Sequence, residues 1–215
     1  MRAFIAAVAV AALLAGPGAA AAQALTTEDA VRALASDDVR ERHAAVARLA
    51  EAGTMKDVTP LLASLRDTDA DVRTEAEQAI WRIWSRSGDD AIDALYRRGV
   101  DEMASGDVEH AIATFTRIIE RKPAFAEAWN KRATLYFLIG DFRRSLADCD
   151  EVMKRNPNHF GALSGYAQIY AHMGSYERAL EYARRALAID PNLDGMRQAV
   201  EILEHAVEQK RRQTV

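Results

Sequence analysis

The sequence predicts an all-α protein built from stacked helical hairpins, and three periodicities predict it. Gly106, Gly140 and Gly174 fall 34 residues apart, and Pro123, Pro157 and Pro191 keep the same interval. Small and apolar columns share the register: Ala111, Ser145 and Ala179, and likewise Val108, Phe142 and Tyr176. Several columns in one period mark a repeat architecture, in which each unit buries its apolar face against the next.

Taken in order from the N-terminus, residues 1–24 read as an export signal that lies outside the fold. Arg2 gives a positive start, Phe4 to Leu14 form an unbroken apolar run, and Gly16-Pro17-Gly18 interrupt it. Ala22-Gln23-Ala24 supply the small-x-small pattern of a cleavage site, which places the mature start at Leu25. The run is shorter than the roughly 20 residues of a membrane-spanning helix, no later segment resembles it, and no cysteine near the site offers a lipid anchor. A periplasmic or secreted protein without stable membrane insertion after cleavage is expected.

Removing 24 of the 215 residues leaves 191, and the loss of Arg2 leaves 27 basic against 32 acidic side chains, a balance of −5. That mild acidity argues against nucleic-acid binding. Cys149 is the single cysteine, so no intramolecular disulfide staples the fold and stability rests on helix packing. The helical pattern puts Cys149 on an inward face, as a small buried hydrophobe.

Residues 25–88 follow a different pattern. Asp38-Val39-Arg40 and Asp71-Val72-Arg73 recur 33 residues apart, each opening an Ala-rich helix, and between them Pro60 sits in the first turn of a helix carrying Val58, Leu61, Leu62 and Leu65. With Ala76, Ala79, Ile80 and Ile83 in the second copy, this segment resembles a pair of HEAT-type helical repeats, although His43 departs from the family pattern. Ile80, Trp81, Ile83 and Trp84 then form a broad apolar stripe, read as core where the two repeat types meet. The polar break that follows, Ser87-Gly88-Asp89-Asp90, is too short for a floppy linker, which predicts one continuous solenoid bending near residues 87–90.

The block 89–193 divides into three hairpins, 92–125, 126–159 and 160–193. Each glycine follows an apolar-periodic helix and suits the positive φ that ends it, while Asp107, Asp141 or Ser175 can cap the next helix. Small residues at Gly99, Ala133 and Ala167 in the first helix, and at Ala111, Ser145 and Ala179 in the second, let two backbones approach closely. The prolines stop the second helix. Repeat two reads Trp129, Ala133, Tyr136, Gly140, Phe142, Ser145 and Pro157, and repeat three reads Leu163, Ala167, Tyr170, Gly174, Tyr176, Ala179 and Pro191. Repeat one reads Leu95, Gly99, Glu102, Gly106, Ala111, Phe115 and Pro123, with Glu102 where the others carry tyrosine. These positions resemble the tetratricopeptide repeat (TPR) family. The resemblance implies a right-handed superhelical solenoid of helix-turn-helix repeats: the HEAT-like pair, three TPR units, and a capping helix with tail over 194–215. Met196, Ala199, Val200, Leu203 and Val207 give that cap its apolar side, and Lys210-Arg211-Arg212 complement its C-terminal dipole.

Chemistry has little to stand on. His43, His110, His159, His172 and His205 are scattered, none three or four residues from another, so no helical metal pair exists, and with one cysteine there is no thiolate site. No nucleophile elbow, phosphate loop or dinucleotide turn is present. Asp148, Asp150 and Glu151, near Arg143, Arg144 and Lys154, read as an ion-paired helix face rather than an acid/base pair. No catalytic residue, metal or cofactor is expected.

The TPR resemblance implies a concave groove lined by the first helix of each hairpin. Carried onto this sequence, its lining is Asp93, Tyr96, Arg97, Val100 and Met103, then Glu127, Asn130, Lys131, Thr134 and Phe137, then Ser164, Gln168 and His172. Apolar groups mixed with amide and cationic donors suit an extended peptide or a partner helix. Family members that clamp a terminal carboxylate use Lys, Arg and Asn across three repeats. Here those positions hold Tyr96, Val100, Gly161 and Gly165, and only Lys131 offers charge, so carboxylate clamping is not implied. The expectation is a non-enzymatic exported scaffold or adaptor that binds a protein or peptide in the groove. The alternatives are a periplasmic holding chaperone or assembly factor, or an auxiliary peptidoglycan-associated subunit. The alternative occupant of the groove is the chain's own C-terminal helix. The sequence leaves the oligomeric state open.

Overall fold

A computed structural model describes residues 25–213, and the expected export signal, residues 1–24, lies outside the described residues. Among those described, every regular element is helical: α1 (Thr27–Ala33), α2 (Val39–Ala52), a 3-10 turn (Met55–Asp57), α3 (Val58–Ser64), α4 (Ala70–Trp84), α5 (Asp90–Ala104), α6 (Val108–Arg121), α7 (Ala126–Leu138), α8 (Phe142–Arg155), α9 (Phe160–His172), α10 (Tyr176–Ile189) and α11 (Asp194–Gln213). No described helix is long and apolar enough to cross a membrane.

The hairpins α5/α6, α7/α8 and α9/α10 form as the columns predict. Gly106, Gly140 and Gly174 adopt φ of +79°, +76° and +70°, the left-handed turn that a side chain would strain. Asp107 and Asp141 then cap α6 and α8 by accepting the His110 and Arg144 N–H groups, whereas Ser175 makes no such side-chain bond. At each close approach the small residues are buried. A Cβ on Gly99 would stand 2.9 Å from Phe115, and the Ser145 hydroxyl donates to the Ala133 carbonyl at 2.7 Å, tying α8 to α7. In repeat one, Glu102 takes the tyrosine's place by accepting the Thr114 hydroxyl and the Arg98 guanidinium, each at 2.7 Å.

The cap behaves as its pattern predicts. Met196, Leu203 and Val207 are buried and α11 packs on α10, covering the end of repeat three.

Two hairpin-like units also form before residue 88, but in a register different from the expected one. Asp38 and Asp69 are the N-caps of α2 and α4. Arg42 donates to the Ser36 and Asp37 carbonyls, and Arg73 donates to those of Asp67 and Thr68. The equivalent residues are therefore Arg42 and Arg73, 31 apart, rather than the two Asp-Val-Arg tripeptides 33 apart. Arg42 also forks onto the Asp67 carboxylate at 2.8 and 2.9 Å, locking one unit to the next.

The course of the chain beyond residue 84 corrects the expectation of a simple bend. Gly88 at φ +75° reverses it, and Arg86 donates to the Ala50, Glu51 and Gly53 carbonyls, satisfying the open C-terminal end of α2. The N-terminal helices then fold back onto repeat three. Trp81 meets Phe160 edge-on at 5.2 Å, and Trp84 stacks on His159 at 4.3 Å. Arg66 donates to the Ala188 and Ile189 carbonyls, and Asn192 returns a bond to the Leu65 carbonyl at 2.8 Å. The physical cause lies in the stripe. Ile80 and Ile83 fill the core of their own unit, while Trp81 and Trp84 reach across to His159 and Phe160, Trp81 occupying the space left where position 161 lacks a side chain.

Candidate functional site

The first helices of the three hairpins, α5, α7 and α9, carry every residue expected in the groove, and the structure sorts those residues into three groups.

One group is built into repeat one. Tyr96 is buried between Phe115 and Phe125, with ring centroids 5.9 and 5.5 Å away. Val100 and Met103 pack partly buried on the same cluster. Asp93 accepts the Ser87 N–H at 2.7 Å and holds the turn into α5. Of this group, Arg97 alone is exposed.

A second group forms a buried polar knot around Glu127, whose side chain is fully buried. Asn130 donates to both carboxylate oxygens at 3.2 Å, the Lys131 ammonium lies 3.2 Å away, and His159 Nε2 lies at 2.9 Å. The Tyr96 hydroxyl completes the set at 3.4 Å. Because His159 Nδ1 accepts the Ala162 N–H at 3.0 Å, the geometry assigns its proton to Nε2, which donates to Glu127. Burial pushes the Glu127 carboxyl up, but the His159 bond and the Lys131 charge outweigh it and hold the group below its ordinary value. Lys131 also lies 5.8 Å over the Trp81 ring. This end of the groove is thus covered by α4.

The third group remains open. Thr134, Phe137, Gln168 and His172 face one another across α7 and α9, above a cavity of about 130 Å³ floored by Ala133, Ser145, Cys149, Gly165 and Ile169. The Phe137 and His172 rings meet edge-on at 5.2 Å, and Phe142 joins both. Thr134 and Ser164 each return their hydroxyl to a carbonyl one helical turn earlier, those of Asn130 and Phe160. Beside the rings, Leu138, Ile139 and Met173 are 61, 52 and 51 % exposed.

Two other candidates resolve into structural roles. Cys149 is buried beneath the open cavity, its thiol pushed up to about 12 by burial and by the neighbouring Asp148 and Asp150. The acidic cluster keeps one expected partner and gains others: Glu151 pairs with Lys154 as expected and also with Arg155, Asp148 takes a two-pronged bond from Arg132 at 2.8 Å, and Asp150 accepts the Tyr166 hydroxyl.

The Glu127–His159 pair is nearly silent in the sequence. Its only signal was a histidine at the helix-capping position opening repeat three. The occupant of the closed end was also missed. It is the N-terminal block, and the C-terminal helix packs elsewhere.

Residues 96–142 and 131–194 match the family model for the tetratricopeptide repeat. No curated protein gives a significant match. Among solved structures, the Sgt2 TPR domain from Aspergillus fumigatus is 22 % identical, covering 57 % of this chain and 82 % of that one with a TM-score of 0.54. The first TPR of Spaghetti (RPAP3), bound to the HSP90 peptide SRMEEVD, is 20 % identical over 54 % of this chain and 93 % of that one, TM-score 0.53. The TPR2B domain of yeast Sti1 in a pHsp70 complex is 21 % identical over 57 % and 99 %, TM-score 0.51. These likenesses establish the fold.

Proposed function

Residues 96–194 of this chain belong to the tetratricopeptide repeat family, a protein-interaction fold, and from that premise we propose that the protein is a non-enzymatic scaffold. Its partner is an extended peptide or helix with apolar side chains, bound at the open end of the groove. The observation that carries this reading is the exposed apolar edge of Leu138, Ile139 and Met173 beside the Phe137–His172–Phe142 rings. Apolar groups exposed together and rimmed by polar ones mark interaction surfaces. Thr134 and Gln168 lie at the same opening, where polar atoms can meet a peptide backbone.

Two of the similar TPR structures hold chaperone-derived ligands, an HSP90 peptide and pHsp70. A terminal-carboxylate clamp in the groove is not supported here, because Tyr96 lies in the core, Gly161 lies under Trp81, and Lys131 is committed to Glu127.

Crosslinking followed by affinity purification tests the reading, comparing the wild-type chain with Phe137→Ala/His172→Ala. Loss of one specific partner, with the helical circular-dichroism signal retained, supports it. An unchanged partner set from a folded double variant sinks it. Broad capture of unfolded chains, with suppressed aggregation, would instead favour a holding chaperone.

The destination belongs to the same proposal. The apolar run Phe4 to Leu14 and the Ala22-Gln23-Ala24 site support export to the cell envelope, and N-terminal sequencing of the protein from fractionated cells checks it. Leu25 as the first residue is the expected result.

A further inference from the structure

A second cavity, of about 310 Å³, lies where the N-terminal block meets the loops that join the repeats, with Glu127 and His159 of the closed end of the groove on its wall. Trp84, Lys122, Phe125, Glu127 and Asn156 are among its lining residues, with Met55 at the N-terminal side. Its size sits at the lower end of small-molecule sites, which run from roughly 300 to 1,000 Å³.

Two of its lining residues, 3 and 5 % exposed, carry buried donors without an acceptor among the described residues: the Trp84 Nε1–H and the Asn156 amide nitrogen. The orientation of the Asn156 amide is set, because its Oδ1 accepts the Asn158 N–H at 3.2 Å, which leaves the NH2 as the free end. Buried donors are rarely left unpaired in native folds, and an unplaced ligand is one physical reason for such a pair.

The charge around the cavity has a consistent sign. The Lys122 ammonium has no hydrogen bond or ion pair among the described residues. Glu127, the only acid on the lining, is already committed to Lys131, His159 and Asn130. The side chains therefore offer spare donors and one spare cation, against apolar walls from Met55 and Phe125. The chemical complement is an anionic acceptor attached to a small apolar group.

We propose that this cavity binds a carboxylate bearing a short apolar side chain, presented either by a free acid or by the last residue of a peptide. Its oxygens take the Trp84 and Asn156 donors, Lys122 balances its charge, and its side chain lies on Phe125 and Met55. The site shares no lining residue with the cavity at the open end of the groove and does not rest on the scaffold reading.

The test uses the 15N-labelled full chain, whose three tryptophans give three assignable indole N–H signals. N-acetyl-leucine and a glycine-rich pentapeptide ending in leucine are titrated in parallel with their C-terminal amides and with inorganic phosphate. The expected result is a saturable shift of the Trp84 indole signal with the acids and none with the amides, and the tighter of the two acids identifies the source. Lys122→Gln, at a partly exposed position, should weaken binding about tenfold, the loss of one charge-assisted bond. Asn156→Asp, which keeps the Oδ1 acceptor and adds a negative charge, should abolish it. A Trp84 signal unmoved by either acid, or moved equally by amides or phosphate, overturns the proposal, as does full affinity in Lys122→Gln.

Discussion

Trp81 fills the space that a side chain at position 161 would need: a Cβ on Gly161 would stand 2.5 Å from the edge of the indole. Four residues along the same helix, a Cβ on Gly165 would meet Cys149 Sγ at an ordinary 3.6 Å. Gly161→Ala should therefore destabilise the protein by about 1–3 kcal/mol through overpacking. Gly165→Ala should stabilise it by about 0.5–1 kcal/mol, because alanine favours the helix interior. Urea unfolding of the two variants reads both, and shifts of the same sign would contradict the docking of α4 on α9.

Glu127 makes stability acid-sensitive. Its folded-state pKa lies below the ordinary 4.5 because the His159 bond and the Lys131 charge exceed the cost of burial. A depressed carboxyl contributes stability that is fully present above the unfolded pKa and is lost as pH falls through the folded one. Glu127→Gln should cost about 3 kcal/mol at pH 7, since it removes the charge that several buried donors share. It should also flatten the stability profile below pH 4.5. A wild-type profile retained in the variant would place the acid response elsewhere.

Glu77 works in the opposite sense. Burial, and then the charge of fully buried Asp190, raise its carboxyl above the ordinary value. The protonated form is thus favoured in the fold, and the penalty appears as pH rises above the unfolded value of 4.5. Glu77→Gln removes that penalty beside Asp190, whose Oδ2 has no hydrogen-bond partner among the described residues. The variant should melt higher than wild type at pH 7 and close to it at pH 4. A lower melting temperature at pH 7 would contradict the unfavourable pairing.

Cys149 should be chemically silent while the chain is folded. Its thiol is 2 % exposed and pushed up to about 12, chiefly by burial, so thiolate is scarce at pH 8. Ellman's reagent is expected to react only after denaturant is added. Stoichiometric reaction of the native protein would place Cys149 outside the core.

The hairpins were legible in the sequence because the residues that define them act locally and alike in each unit. A glycine that must take positive φ, or a small residue under a neighbouring ring, needs no knowledge of the rest of the chain. The N-terminal register was misread by two residues. There the decisive side chains are Arg42 and Arg73, which bond carbonyls five and six positions back, and the more visible Asp-Val-Arg tripeptides do not occupy equivalent places in the two units. Of the groove residues, those on α7 and α9 around Phe137 and His172 come together at an opening, while Tyr96, Asn130 and Lys131 are consumed by internal contacts. What consumed them was illegible because it depends on pairings such as Glu127 with His159, 32 residues apart, and on which hairpin Trp81 reaches after the chain reverses.

An ordinary row of repeats loses structure from its ends, each unit depending only on its neighbours. Here Arg66 grips the carbonyls that close α10 while Asn192 grips that of Leu65, bonds that join positions 122 to 127 residues apart. The N-terminal block and repeat three therefore restrain each other, and separating them must first break the clasp. Hydrogen exchange should show protection in α4 and α10 as high as in the repeats between them, with that span opening as a whole like a buckled belt rather than a zipper.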